Sequence, residues 1–76
     1  MYYVYVLRNK KTRRFYYGYT NDLKRRFKEH NREIAWDLIY YEAYKMESDA
    51  RRREAGLKKY GQALTALKTR MKDSLC

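Results

Sequence analysis

The chain has no proline, only three glycines and a single cysteine, Cys76, in 76 residues. One cysteine cannot form an internal disulfide, and no Cys/His spacing matches a zinc site, so side-chain packing has to hold the fold. Without proline, repeats or low-complexity tracts there is no linker, and the length allows one domain, residues 1–76. A chain this short buries only about 60–65% of the surface its unfolded form exposes, so its stability margin is thin. No apolar run approaches the roughly 18 residues a membrane span needs. The opening MYYVYVLRNKK is apolar then basic, the reverse of a secretory signal, and the unpaired thiol fits a reducing compartment. These absences point to a cytoplasmic monomer with no membrane attachment. Acid is scarce as well: nine Asp and Glu face nineteen Lys and Arg, a net charge of +10. Such a surplus on a small surface points to a polyanion, nucleic acid first.

What the chain does have is tyrosine, ten of them. Residues 2–7, YYVYVL, are aromatic and β-branched, as strands are. At a period of two, Tyr3, Tyr5 and Leu7 share one face and Tyr2, Val4 and Val6 the other, so both faces are expected to be covered. Residues 8–14 form a polar turn around Asn9, and residues 14–19 a second strand, completing an antiparallel hairpin. Thr20 or Asn21 can cap a helix whose narrow apolar stripe is Leu23, Phe27 and Ile34. Residues 37–44, DLIYYEAY, read as a third strand. A second helix is expected from Ser48 as its cap to Tyr60, with Gly61 as its stop, Ala50 and Leu57 facing inward and Arg51, Arg52 and Arg53 on a solvated face. A last helix carries Leu64, Leu67 and Met71. The order β-β-α-β-α-α makes an α+β domain, a small three-stranded antiparallel sheet flanked by helices.

Three polar residues offend this pattern. Arg26 flanks the stripe meant for the core, His30 lies four residues further along the same side, and Glu54 sits on the inward face between Ala50 and Leu57. A buried carboxylate costs several kcal/mol unless a cation or hydrogen-bond donor meets it. Each has an ordinary reading: Arg26 snorkels past Phe27, His30 complements the helix dipole, and Glu54 pairs with Arg51, Arg53 or Lys58. Spacing alone does not choose.

Taken together, the spacing resembles that of the GIY-YIG nuclease superfamily. Tyr3-Val4-Tyr5 and Tyr16-Tyr17-Gly18 look like its paired motifs, with Arg26 and His30 following in GYTNDLKRRFKEHN and Glu54 in ESDARRREAGLKK. The likeness runs from Tyr2 to about Lys59 and is nearest to short bacterial members, which also resemble the nuclease domain of a structure-specific junction endonuclease subunit. Tyr3 stands where the family has its first glycine and Tyr17 where it has isoleucine, and the asparagine many larger members place after the glutamate helix is not evident.

The resemblance implies hydrolysis of a DNA phosphodiester with Mg²⁺ or Mn²⁺ held by Glu54. It implies catalytic roles for Tyr5, Tyr16, Arg26, His30 and Glu54, with Tyr5 as general base, Tyr16 orienting the water, Arg26 on the phosphate and His30 as proton relay or phosphate contact. Lys24, Arg25 and Lys28 are expected along the DNA backbone, while Gly18 either lets backbone approach substrate or α-helix closely or simply bends the strand. Branched, flapped or single-stranded DNA is the expected substrate, and targeting is expected to come from this domain itself or from a protein partner. Two other readings stand beside the endonuclease: a basic nucleic-acid-binding module without turnover, and an RNA-binding sheet whose tyrosines stack bases. The second of these has no use for an inward Glu54.

Overall fold

The computed structural model describes the backbone of residues 1–32, 35–59 and 61–73, and the side chains of all of these except 61–64. The expectations for Ile34, Tyr60 and the Leu64 side chain lie outside the described residues. The elements are β1 Tyr2–Asn9, β2 Phe15–Thr20, α1 Leu23–His30, β3 Trp36–Tyr44, α2 Glu47–Lys59 and α3 Gly61–Arg70, in the order expected. The strands make one antiparallel sheet, β2-β1-β3, with the first strand in the middle. That position explains the unbroken apolar run of β1, whose Val4, Tyr5, Val6 and Leu7 are all buried. Among the described residues no helix is long and apolar enough to cross a membrane.

One sheet face carries the core. Val4 and Val6 pack with Ala50 and Leu57 of α2, Leu67 of α3 and Met71. Burying each leucine contributes about 1.5–3 kcal/mol. Phe15, Tyr17 and Tyr19, alternating along β2, close one flank of this cluster, and Ile39, Tyr40 and Tyr44 of β3 the other. Tyr3, Tyr5 and Leu7 point to the opposite face, where α1 lies. A register shift between Val6 and Leu7 in the β1–β3 ladder re-aims β3. Because of it, Ile39 and Tyr40 both reach the core, while Leu38 and Tyr41, three apart, both line the α1 side.

Local chemistry sets the boundaries. Asn9 Oδ1 accepts from the backbone N–H of Lys11 at 2.8 Å and of Thr12 at 3.0 Å, turning the chain between β1 and β2. Asp22, not Thr20 or Asn21, caps α1 by accepting from Arg25 N at 3.1 Å. Thr20 supports it one step earlier, its hydroxyl accepting from Asp22 N at 3.0 Å. α2 starts one residue before the expected Ser48 cap, placing Glu47 and Asp49 in a first turn that favours anions. Gly61, expected as a stop, begins α3.

Candidate active site

Tyr5 is the centre of the α1 face. It comes from the middle strand and is 1% exposed. Its register partner is Gly18. A Cβ at Gly18 would fall 2.6 Å from Tyr5 Oη, 2.7 Å from Cζ and 3.1 Å from Tyr16 Cε1. No glycine in the described chain has positive φ, so Gly18 serves through its missing side chain, and the space it leaves is taken by the Tyr5 ring. Tyr16, two residues earlier on the same strand face, is 38% exposed and lies 6.2 Å from Tyr5 between ring centroids.

α1 brings His30 onto these rings. Its imidazole centroid is 4.6 Å from that of Tyr16, and its Nε2 is 3.3 Å from Tyr5 Oη. Trp36, at the start of β3, completes the cluster, 6.2 Å from Tyr16 and 6.3 Å from His30. Asn31 ties the end of the helix to that strand: its side-chain amide donates to Phe27 O at 3.0 Å, and its Oδ1 accepts from Trp36 N at 2.9 Å. Because no residue of α1 is buried, such polar ties bear directly on where His30 sits.

The electrostatics converge on the same hydroxyl. Burial pushes the Tyr5 phenol above its ordinary value; Arg26, contacting it, pulls the other way, while Tyr16 and Glu54 push it further up. Tyr5 therefore holds its proton at neutral pH. Burial, and then the Arg26 charge, lower His30 below the usual imidazole range, with Glu29 opposing. In the tautomer with its proton on Nδ1, the neutral ring accepts a hydrogen bond from the Tyr5 hydroxyl at Nε2. His30 is thus not the dipole-stabilised cation that its place at the helix end allows.

Glu54 projects from α2 with an 18% exposed side chain, its Oε1 3.2 Å from Lys58 Nζ. This is one of the ordinary pairings its helix offers, yet its charge also acts on Tyr5. Among the described residues no three His, Cys, Asp or Glu side chains gather as a metal cage. Glu54 offers one largely buried carboxylate, an oxygen donor whose charge acts on Tyr5. It fits a hard divalent cation that keeps most of its waters.

The remaining expected residues lie outside this cluster. Lys24, Arg25 and Lys28 are exposed on α1. Arg25 is spent on Asp22 at 3.9 Å and Glu29 at 3.6 Å, and Arg26 also reaches Glu29 at 3.5 Å. Arg53 departs from the solvated face expected for it. Its Nε and a terminal nitrogen grip the Glu42 carboxylate of β3 at 3.0 and 3.1 Å, beside the hydroxyls of Tyr40 and Tyr44. That clamp holds α2 against the sheet one residue before Glu54. The sequence reading missed Trp36, although its being the only tryptophan, two before Leu38 in a strand pattern, was a signal.

A family model described as the GIY-YIG catalytic domain matches residues 1–68. No curated protein and no solved structure matches the chain. The cluster of two tyrosines, arginine and histidine with a glutamate acting on it accords with that match over most of the chain, which belongs to the GIY-YIG family of nucleases, enzymes that act on DNA with a divalent metal.

Proposed function

We propose that the chain is a DNA endonuclease dependent on Mg²⁺ or Mn²⁺, selective for branched, flapped or single-stranded DNA and serving repair or recombination. The observation that carries this reading is the Tyr5 hydroxyl, on which His30, Arg26, Tyr16 and Glu54 all act. An RNA-stacking sheet needs none of those partners at one buried oxygen. The metal would be held by Glu54, and when bound it polarises the phosphate and stabilises the leaving oxygen.

The protein's own groups divide the remaining work. The Tyr16 hydroxyl, partly open to solvent, orients the attacking water. As the water oxygen bonds to phosphorus, its proton passes to Tyr5 Oη while the Tyr5 proton passes to His30 Nε2. The bond from phosphorus to the leaving oxygen breaks and that oxygen takes a proton from solvent, leaving an imidazolium beside Arg26. The repulsion that lowers the His30 pKa then favours returning that proton to solvent. Tyr5 so acts as a base without resting as a phenolate. The Arg26 guanidinium meets the phosphate as charge builds, and losing it costs about 10²–10³ in rate.

The test is nicking of flapped, branched and single-stranded DNA by purified protein with either metal. Glu54→Gln is expected to abolish nicking while retaining DNA binding. Wild-type protein that binds every such DNA yet cuts none with either metal refutes the endonuclease. Glu54→Gln cutting at the wild-type rate refutes Glu54 as the metal's holder.

A further inference from the structure

Leu23 and Phe27 of α1 are only partly covered. Leu23 and Phe27 look across a groove of about 500 Å³ toward Tyr3, Leu38 and Tyr41 of the sheet. The volume is that of a small-ligand site, typically about 300–1,000 Å³. Tyr41 remains 55% exposed although its ring meets Tyr3 edge-on at 6.1 Å between centroids.

Shape, charge and position together say what fits. The walls are aromatic and apolar, suited to a flat ring. Lys24 stands on the rim and makes no ion pair among the described residues, and neither does Lys28 one turn on. The one acid on the rim among the described residues, Asp22, caps α1 and pairs with Arg25. Lys24 on the rim and Lys28 one turn on thus set unpaired positive charge beside an aromatic floor, in a chain of net charge +10, which is complementary to a flat ring on an anionic tether. The groove also borders the active site at Tyr5. Tyr41 is the register partner of Tyr5 across β1 and β3, and such partners have side chains about 4.5–5.5 Å apart. A phosphate held by Arg26 beside Tyr5 would bring a neighbouring base within reach of Tyr41. A base inside a duplex has both faces stacked and its edge paired, so only an unpaired one is free to enter.

We infer that this groove takes an unpaired nucleobase of the DNA strand held at the catalytic tyrosines, with Tyr41 as the ring it stacks on. The inference rests on the endonuclease reading for the placement of the phosphate. It makes the preference for flapped or single-stranded DNA a property of one aromatic groove.

The experiment measures binding, so it does not depend on turnover. Affinities of the Glu54→Gln protein are measured by anisotropy for a flapped DNA and for a fully paired duplex of equal length, each with Tyr41, Tyr41→Phe and Tyr41→Ala. Tyr41→Ala is expected to weaken flap binding roughly 5- to 150-fold, the range for stacking one base on one ring. Duplex binding should be unchanged, and Tyr41→Phe should behave as the parent. A 2-aminopurine in the flap should lose its stacking quench in Tyr41→Ala alone. Equal weakening for flap and duplex, or none for either, overturns the groove. A protein that discriminates through Tyr41 yet never cuts in its Glu54 form supports the groove and refutes the endonuclease. One that cuts flaps normally and binds them unchanged after Tyr41→Ala refutes the groove alone.

Discussion

Gly18→Ala isolates the contact on which the site geometry depends. In an ordinary strand this change gains about 0.5–1 kcal/mol, because alanine loses less backbone freedom on folding. Here the added methyl would sit 2.6 Å from Tyr5 Oη, 2.7 Å from Cζ and 3.1 Å from Tyr16 Cε1. Relaxed contacts lie near 3.5–4.0 Å, so the Tyr5 ring has to retreat by roughly 1 Å. The ring is fully buried under α1 and has no open side to move into. Overpacking of this kind costs about 1–3 kcal/mol, enough to reverse the sign of the ordinary gain. The same retreat separates Tyr5 Oη from His30 Nε2, already 3.3 Å away, and a displacement of about 1 Å at a reacting group costs on the order of 10² in rate. Urea unfolding and single-turnover nicking on the same preparations measure both effects. In a Tyr5→Ala background most of the stability cost of Gly18→Ala should disappear, since only the looser 3.1 Å contact with Tyr16 is left. Full stability and full rate in the single variant would refute the reasoning, as would an undiminished cost after Tyr5 is removed.

Glu42→Gln should lower the unfolding free energy by about 2–3 kcal/mol, somewhat less than the full cost of breaking a buried pair because Arg53 keeps some contact with solvent. Burial alone would raise the Glu42 pKa, but hydrogen bonds from Arg53, Tyr44 and Tyr40 outweigh it and hold the carboxyl below its ordinary value. Its stabilisation is therefore present above the unfolded value of 4.5 and lost as pH falls through the folded one; urea midpoints from neutral to acid pH should converge for wild type and variant. In the proposed relay His30 works as the neutral form, and burial and the Arg26 charge lower its pKa from 6.5, so the acid limb of the nicking rate should fall below that pH, and a half-rate point above it would contradict the relay. Lys24→Ala and Lys28→Ala should each reduce the slope of log affinity against log salt by about 1. Arg25→Ala should reduce it less, its charge being shared with Asp22 and Glu29; equal slopes for all three would show that those pairs open on DNA.

The legible parts of the site were residues whose chemistry offended the local pattern. Glu54 between Ala50 and Leu57, and Arg26 and His30 along an apolar stripe, stood out at helical spacing. Trp36 did not, because the strand was expected to begin at Asp37 and left it outside; nor can period-two counting along β3 foresee the irregularity opposite Val6 and Leu7 that puts Leu38 and Tyr41 on one side. Nor could three consecutive arginines reveal which one meets Glu42, a choice made by how α2 crosses β3. Tyr5 is the deeper case. By period it belonged equally well to either covered face, and only pairing with Gly18 makes its ring part of a site. A slip of one residue in the hairpin would turn Tyr5 toward Ala50 and Leu57 and bring Val4 and Val6 under α1. That register is set where the hairpin turns, by Asn9 Oδ1 on two backbone N–H groups, by Asn9 N donating to Arg14 O at 2.8 Å, and by Arg13 at a φ of 64°. Asn9→Ala removes the acceptor that bends the chain there, so it should lower nicking through misplacement of Tyr5 as well as lowering stability. The chemistry of Tyr5 thus depends on a turn that makes no contact with it.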